Sequence, residues 1–386
     1  MSGQSLQSKL PGVGTTIFTV MSQMAADEGA LNLSQGFPDF DGPPELLERV
    51  QYYLTHGYNQ YPPMMGVAAL REAISHKVSD LYGLVADPDR EITVTSGATE
   101  ALFCAIAAVV HPGDEVIVFD PAYDSYEPAV TLQGGVTRHI PMRAPAFDID
   151  WDLVADTVTE HTRLIITNTP HNPSGSIWSL ADVDALRRIV SGHSVFVLAD
   201  EVYEHIVFDG LQHESLCRYP DLMERSFVVS SFGKTYHTTG WKVGYCVAPP
   251  DLTAEFRRVH QFVTFTTNTP VQYGLADFLE HHPEHHLELG AFYQRKRDLF
   301  CQLLEGSRFS LTPSSGTYFQ LLGYENYSDE GDVILAERLT REAKVASIPV
   351  SVFYEDPAAH EHRVLRLCFC KDDATLRAGA EILCHL

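Results

Sequence analysis

No apolar run in this sequence is long enough to cross a bilayer. The longest, Ala101–Val110, has ten residues, about half of what a spanning helix needs. Positive charge is also scarce. Lys plus Arg is 27 against 51 for Asp plus Glu, a formal net charge of −24. That balance argues against non-specific binding to nucleic acid or to an anionic membrane surface. It leaves room for a small anion held at a local site. Cysteine is sparse and unpatterned: seven residues, an odd number, with no CxxC pair. A disulfide framework and a zinc knuckle are therefore not expected, and a reducing cytoplasm is the predicted compartment. Cys368 and Cys370 have strand spacing and are expected to pack on one face. The Met1–Gly14 segment is polar and lacks the apolar core of a signal peptide. There is no internal repeat and no low-complexity tract.

What is present is an ordinary globular composition, 45% hydrophobic and 20% charged over 386 residues, enough for two or three domains. Short apolar runs alternate with helical stretches. Strands are predicted at Ile92–Thr95, Val116–Phe119, Leu164–Thr167, Val195–Ala199, Phe227–Ser230 and Val243–Val247. Helices are predicted at Thr99–Val110, Ser125–Leu132 and Ala181–Val190. This alternation means a mostly parallel sheet covered on both faces. Ligands of such sheets bind beyond the carboxyl ends of the strands. A long helix, Leu287–Leu304, leads to a second α/β segment. There, strands are expected at Thr317–Leu322 and Val364–Phe369 and helices at Val333–Lys344 and Ala374–Cys384. The predicted division is a large domain over 45–285 and a small domain from 1–44 and 286–386, with an N-terminal arm packed on the latter.

The segment Ser230-Ser231-Phe232-Gly233-Lys234-Thr235 sets a lysine in a small-residue turn, and Lys242 follows eight residues later. A lysine that forms imines must be held rigidly and kept from ordinary solvation. A second cation nearby can bind a phosphate and ease its deprotonation. Gly233-Lys234-Thr235 is not the end of a nucleotide P-loop, because the required earlier glycine is Val228. Ser96-Gly97-Ala98-Thr99-Glu100 joins a strand to a helix, as an ordinary cap or as an anion cradle. Asp200 ends a buried strand, as a loop carboxylate or as the partner of a cationic ring nitrogen, with Tyr203 in reach of a ring oxygen. Asn172-Pro173-Ser174-Gly175 makes a tight turn whose amide can also donate to a ligand. Tyr123 either packs or stacks on a planar ring. Arg366, alone in an apolar strand, either pairs with a buried acid or captures a carboxylate. The histidines of His281-His282-Pro283-Glu284-His285-His286 read as a solvated helix boundary, and no metal site is expected.

In order and spacing these residues resemble the class I aminotransferases of fold type I, which use pyridoxal 5′-phosphate. The likeness runs from Asn32-Leu33-Ser34-Gln35-Gly36-Phe37-Pro38-Asp39-Phe40 through Asn59-Gln60-Tyr61 to Arg366-Leu367-Cys368-Phe369. It covers nearly the whole chain. It is nearest to the branch of bacterial methionine aminotransferases and kynurenine–glutamine aminotransferases. The resemblance implies that Lys234 carries the cofactor and moves protons, and that Asp200 pairs with the ring nitrogen. Tyr203 and Asn172 would meet the ring's phenolic oxygen, with Tyr123 stacked on the ring. Gly97, Ala98, Thr99, Ser231 and Lys242 would hold the phosphate. Tyr61 would reach the phosphate of a neighbouring subunit, making the protein a homodimer. Gly36, Asn172 and Arg366 would bind the α-carboxylate.

The implied reaction moves an amino group from an L-amino acid to a 2-oxo acid by a ping-pong route. Lysine must be neutral to accept a proton, so the neighbouring cations are expected to depress the pKa of Lys234. A side-chain pocket of Phe18, Tyr61, Tyr123 and Phe265 suits methionine, aromatic or glutamine-like donors. Phe18 and Thr266 stand where the kynurenine branch often has tryptophan and histidine, which points towards methionine. The alternatives are a kynurenine–oxoglutarate transaminase, a cysteine-S-conjugate β-lyase and, outside enzymes, a cofactor-binding sensor.

Overall fold

The computed structural model describes residues 6–357 and 363–386; the first five residues of the Met1–Gly14 segment lie outside them. Strand β1 (Leu31–Asn32) comes early and pairs in parallel with a segment more than 300 residues away, Val345–Ala346. The central sheet follows. Its strands are β2 (Ile92–Thr95), β3 (Glu115–Asp120), β4 (Val136–Pro141), β5 (Thr162–Asn168), β6 (Phe196–Asp200), β7 (Ser226–Ser231) and β8 (Gly244–Val247). Their order across the sheet is β2-β8-β7-β6-β5-β3-β4. Only β8 runs against its neighbours, antiparallel to both β2 and β7.

The strands predicted from the sequence are the well-buried ones, β2 at one edge included, and burial explains why. β2, β3, β7 and β8 are buried at every position, so they appear as continuous apolar runs. β4 was not foreseen. It is an edge strand, and apart from the buried Ile140 its residues are exposed or half-buried. Val-Thr-Arg-His-Ile-Pro therefore shows no apolar run. Helices cover both faces, and two apolar clusters fill the space between them and the sheet.

The later part of the chain builds a smaller antiparallel sheet. Strand β9 (Phe319–Gly323) is followed by β10 (Val345–Ala346), β11 (Ile348–Pro349) and β12 (Val364–Cys368), with β12 central in the order β11-β12-β9. Three helices flank it, Pro283–Leu303, Asp332–Arg338 and Asp373–Cys384. The first begins four residues before the expected Leu287. Pro283 sits in the first turn, where a missing N–H costs nothing, so it starts the helix instead of preceding it. The second was expected to continue as one helix to Lys344. Regular α geometry stops at Arg338, a π-type turn spans Leu339–Ala343, and Lys344 closes it at φ 62°. A third apolar cluster surrounds this sheet. It takes in Val202, Tyr203 and Phe208, which follow β6.

Candidate active site

The parallel strands deliver their following loops to one edge of the sheet. Ser96–Thr99 follows β2, Tyr123 follows β3, Asn172 follows β5, Tyr203 follows β6 and Lys234 follows β7. Because β8 is reversed, its beginning lies at the same edge. Lys242, two residues ahead of β8, is thereby returned to the turn after β2. The small sheet adds Arg366 from β12, and the N-terminal segment adds Phe18 and Gly36. Together they enclose a cavity of about 300 Å³, at the lower end of small-molecule sites. Every site residue expected from the sequence lines it except Tyr61 and Phe265. Tyr61 is 87% exposed, its ring 5.8 Å from that of Phe265, and both lie away from this cavity in their own chain.

Lys234 is half-buried at the cavity wall, and its Nζ donates to the Gly36 carbonyl at 3.3 Å. Its pKa is lowered to about 8. Burial is the main cause, and the charges of Lys242 and Arg366 add to it. The cause expected from the sequence, the neighbouring cations, is therefore the lesser one. Desolvation of an ammonium group does most of the work.

Asp200 is buried with no cation within ion-pair distance among the described residues. Tyr126 donates its hydroxyl to Oδ2 at 2.6 Å. Burial pushes the carboxyl up to about 6. Asn168 ties this strand end to its neighbour, its Nδ2 donating to the Asp200 carbonyl at 2.9 Å. Neither Tyr126 nor Asn168 was assigned a role from the sequence, although both sit in segments that drew attention. Their signal was position at a strand end.

Arg366 is buried without a carboxylate partner among the described residues. Nη1 donates to Asn172 Oδ1 at 2.8 Å and Nη2 to the Ser34 carbonyl at 2.8 Å, while Nε has no partner. Its guanidinium lies 3.9 Å from the Phe319 ring centre and 5.0 Å from that of Phe18. The buried-ion-pair alternative is thus not what the structure contains. An unneutralised guanidinium with a free N–H, facing a cavity, is a receptor for an incoming anion. Asn172 has its Oδ1 committed to Arg366, which leaves Nδ2 to donate elsewhere.

At the opposite side, Gly97 has φ +80° and a Cβ there would meet Lys242 Cε at 3.2 Å. The lysine is therefore packed against the turn that opens helix Ala98–Val109. Backbone N–H groups, the hydroxyls of Thr99 and Ser231, and an ammonium group share this corner. That donor set is one for a phosphate. With an unpaired buried carboxylate and a depressed lysine between the two ends, the cavity fits a phosphorylated pyridine aldehyde. In the histidine segment His282 pairs with Glu284, and His285 Nε2 reaches the Thr235 carbonyl.

The family model for aminotransferase class I and II matches residues 28–383. The chain belongs to this family. Its cofactor is pyridoxal 5′-phosphate and its substrates are amino acids and 2-oxo acids. The aminotransferase is 54% identical to methionine aminotransferase of Escherichia coli strain K12 over 380 residues, 98% of each chain. It is 36% identical to a probable N-succinyldiaminopimelate aminotransferase of Mycobacterium tuberculosis, covering 96% of this chain and 95% of that one. Its fold is similar to the crystal structure of YbdL from Escherichia coli, described with a methionine aminotransferase function. The TM-score is 0.97, with 53% identity over the whole of both chains. The fold-type I expectation, a mostly parallel sheet with a smaller α/β unit, holds.

Proposed function

We propose that this aminotransferase takes methionine as its preferred amino donor and that Lys234 is its catalytic lysine. The observation that carries the substrate reading is the cavity wall. Phe18, Tyr123 and Phe319 line it, and Arg366 is its only arginine among the described residues. One arginine answers the α-carboxylate, leaving none for a second acid group. Aromatic faces suit a thioether. The likeness to methionine aminotransferase supports the same reading.

Pyridoxal phosphate, when bound, supplies an aldehyde that condenses with amines and a ring that draws off electron density. The protein's residues do the rest. Gly97, Ala98, Thr99, Ser231 and Lys242 would hold the phosphate. Asp200, negative above its raised pKa, would keep a proton on the ring nitrogen. Tyr203 and the Asn172 amide would donate to the phenolic oxygen, and Tyr123 would stack on the ring. Arg366, with Asn172 and Gly36, grips the α-carboxylate and turns the Cα–H towards Lys234. Lys234 is neutral in a useful fraction near pH 8, so its Nζ can take that proton and return it.

We further propose that 45–285 and 1–44 with 286–386 act as two bodies meeting at this cavity. The central sheet falls in the first range and the β11-β12-β9 sheet in the second. A homodimer is proposed because Tyr61, its ring against that of Phe265, is exposed in a groove that Ser96 also lines, where it would serve a neighbour's site. All seven cysteines are free thiols, which suits a reducing cytoplasm.

A single-turnover panel tests the substrate proposal, reading loss of the cofactor's visible absorbance with methionine, phenylalanine, glutamine, kynurenine and a cysteine conjugate. Methionine should react fastest. A faster kynurenine reaction would replace the proposal with its alternative, and pyruvate and ammonia released without an acceptor would mark a β-lyase. Lys234→Ala should lower turnover by at least about 10²–10⁴-fold; full turnover in that variant would remove Lys234 from the mechanism.

A further inference from the structure

Behind the phosphate corner lies a buried cluster that none of the roles above uses. Glu100, in the first turn of helix Ala98–Val109, turns back on the loop before it. Its Oε2 accepts from the Ser96 N–H at 3.0 Å. Its Oε1 accepts from Cys104 Sγ at 2.9 Å and lies 2.7 Å from His260 Nδ1. The other nitrogen of His260, Nε2, is 3.0 Å from the Met64 carbonyl. Cys104 and His260 are fully buried, and Glu100 is 9% exposed.

The partners decide the protonation. A carbonyl oxygen only accepts, so Nε2 carries a proton. An ionised carboxylate only accepts, so Nδ1 carries one as well, and His260 is then an imidazolium. Burial works against the Glu100 charge, but the His260, Cys104 and Ser96 donors together hold its carboxyl below the ordinary range. Burial pushes the Cys104 thiol up, so it remains a donor. A metal ion is the poorer account of the same three side chains. A tetrahedral ion with bonds of about 2.0–2.3 Å would hold its ligand atoms over about 3 Å apart, and these stand at hydrogen-bond separation.

We propose that Glu100 and His260 form a buried ion pair that positions the Ser96–Thr99 turn for the cofactor's phosphate and ties it to the Tyr61–Met64 loop. This rests on the reading that the turn, with Lys242, takes that phosphate. Glu100 anchors the turn by the Ser96 N–H. Alone, however, it would set a negative charge directly behind a dianion. His260 cancels that charge and, through the Met64 carbonyl, fixes the loop that carries Tyr61. Both are positioning residues, since neither lines the cavity.

The order of effects separates this role from simple packing. In His260→Gln the carboxylate loses its counter-charge. In Glu100→Gln the anchor weakens but no charge remains. The single histidine variant should therefore be worse than the double variant. The readout is the affinity of cofactor-stripped enzyme for pyridoxal phosphate relative to pyridoxal, which lacks the phosphate, followed by protein fluorescence. Lys242→Ala must lower that ratio; if it does not, the phosphate reading itself fails. With that in hand, His260→Gln should lower the ratio by about tenfold, as expected for one lost charge-assisted contact. Adding Glu100→Gln to it should restore part of the loss, and pyridoxal affinity should stay constant throughout. A fall in both affinities together, or a double variant no better than His260→Gln, would overturn the proposal. Should His260→Gln not fold, Glu100→Ala strips the anchor while Cys104→Ser keeps a donor. The ratio must then fall in the first and hold in the second, and any other pattern rejects the inference.

Discussion

Asp200 carries a cost that the cofactor is suited to relieve. Its carboxyl titrates near 6 in the folded chain, raised by burial from 3.8. Between those values the folded state holds a proton that the unfolded chain has released. Stability of the cofactor-free protein is therefore undiminished by this group below about pH 4, falls as pH rises to about 6, and is flat beyond. Asp200→Asn keeps an acceptor for Tyr126 and removes the charge. The cofactor-free variant should melt several degrees above wild type at pH 7.5 and together with it near pH 4. Equal melting at pH 7.5 would mean that the charge is not costly in place. In the loaded enzyme the order should reverse, because the ring nitrogen then lacks its partner, and turnover should collapse. This is the usual exchange of stability for function at a prepared site. Lys234 presents the mirror case, a half-buried ammonium lowered to about 8.

Among the elements, the reversed strand β8 places the strictest demand on sequence. A Cβ on Gly244 would lie 2.7 Å from the Ser230 carbonyl oxygen and 2.8 Å from the Ala98 nitrogen. Both are backbone atoms, so neither can rotate away. Gly244→Ala should destabilise the protein by about 2–3 kcal/mol, read by denaturant unfolding, and should loosen cofactor binding as β7 and the turn after β2 part. Unchanged stability would show that the two segments yield easily. The direction of β8 was not legible beforehand, because Val243–Val247 is an apolar run that fits either orientation. The inner parallel strands were legible from burial on both faces, as was the convergence of polar residues after them. Edge strand β4 and the early helices, such as Pro44–Thr55 and Ala68–Tyr82, escaped because polar residues break their apolar pattern. Lys234, Asp200 and Arg366 stood out because charge at the end or middle of an apolar strand requires a reason. Glu100 and His260 did not. They lie 160 residues apart, and no local pattern joins them.

At the scale of the whole molecule, Tyr61 is the residue that a single chain leaves without a task. If paired chains exchange this residue, two damaged proteins can repair each other. A mixture of Lys234→Ala and Tyr61→Ala chains, unfolded and refolded together, should recover activity above either parent, since some mixed dimers contain one intact site. Activity no greater than the sum of the parents would place Tyr61 outside its neighbour's site. The two sheets also meet at one side chain. The Arg366 guanidinium, carried by β12, bonds to Asn172 after β5 and to Ser34 next to β1. Three distant stretches of chain therefore share one positive charge, with Nε still unengaged. An arriving carboxylate neutralises the point at which they join. Its binding energy becomes folding energy, growing with the logarithm of ligand concentration. In that sense the metabolite acts as a missing side chain of the protein, and an enzyme well supplied with substrate is also one better protected from unfolding.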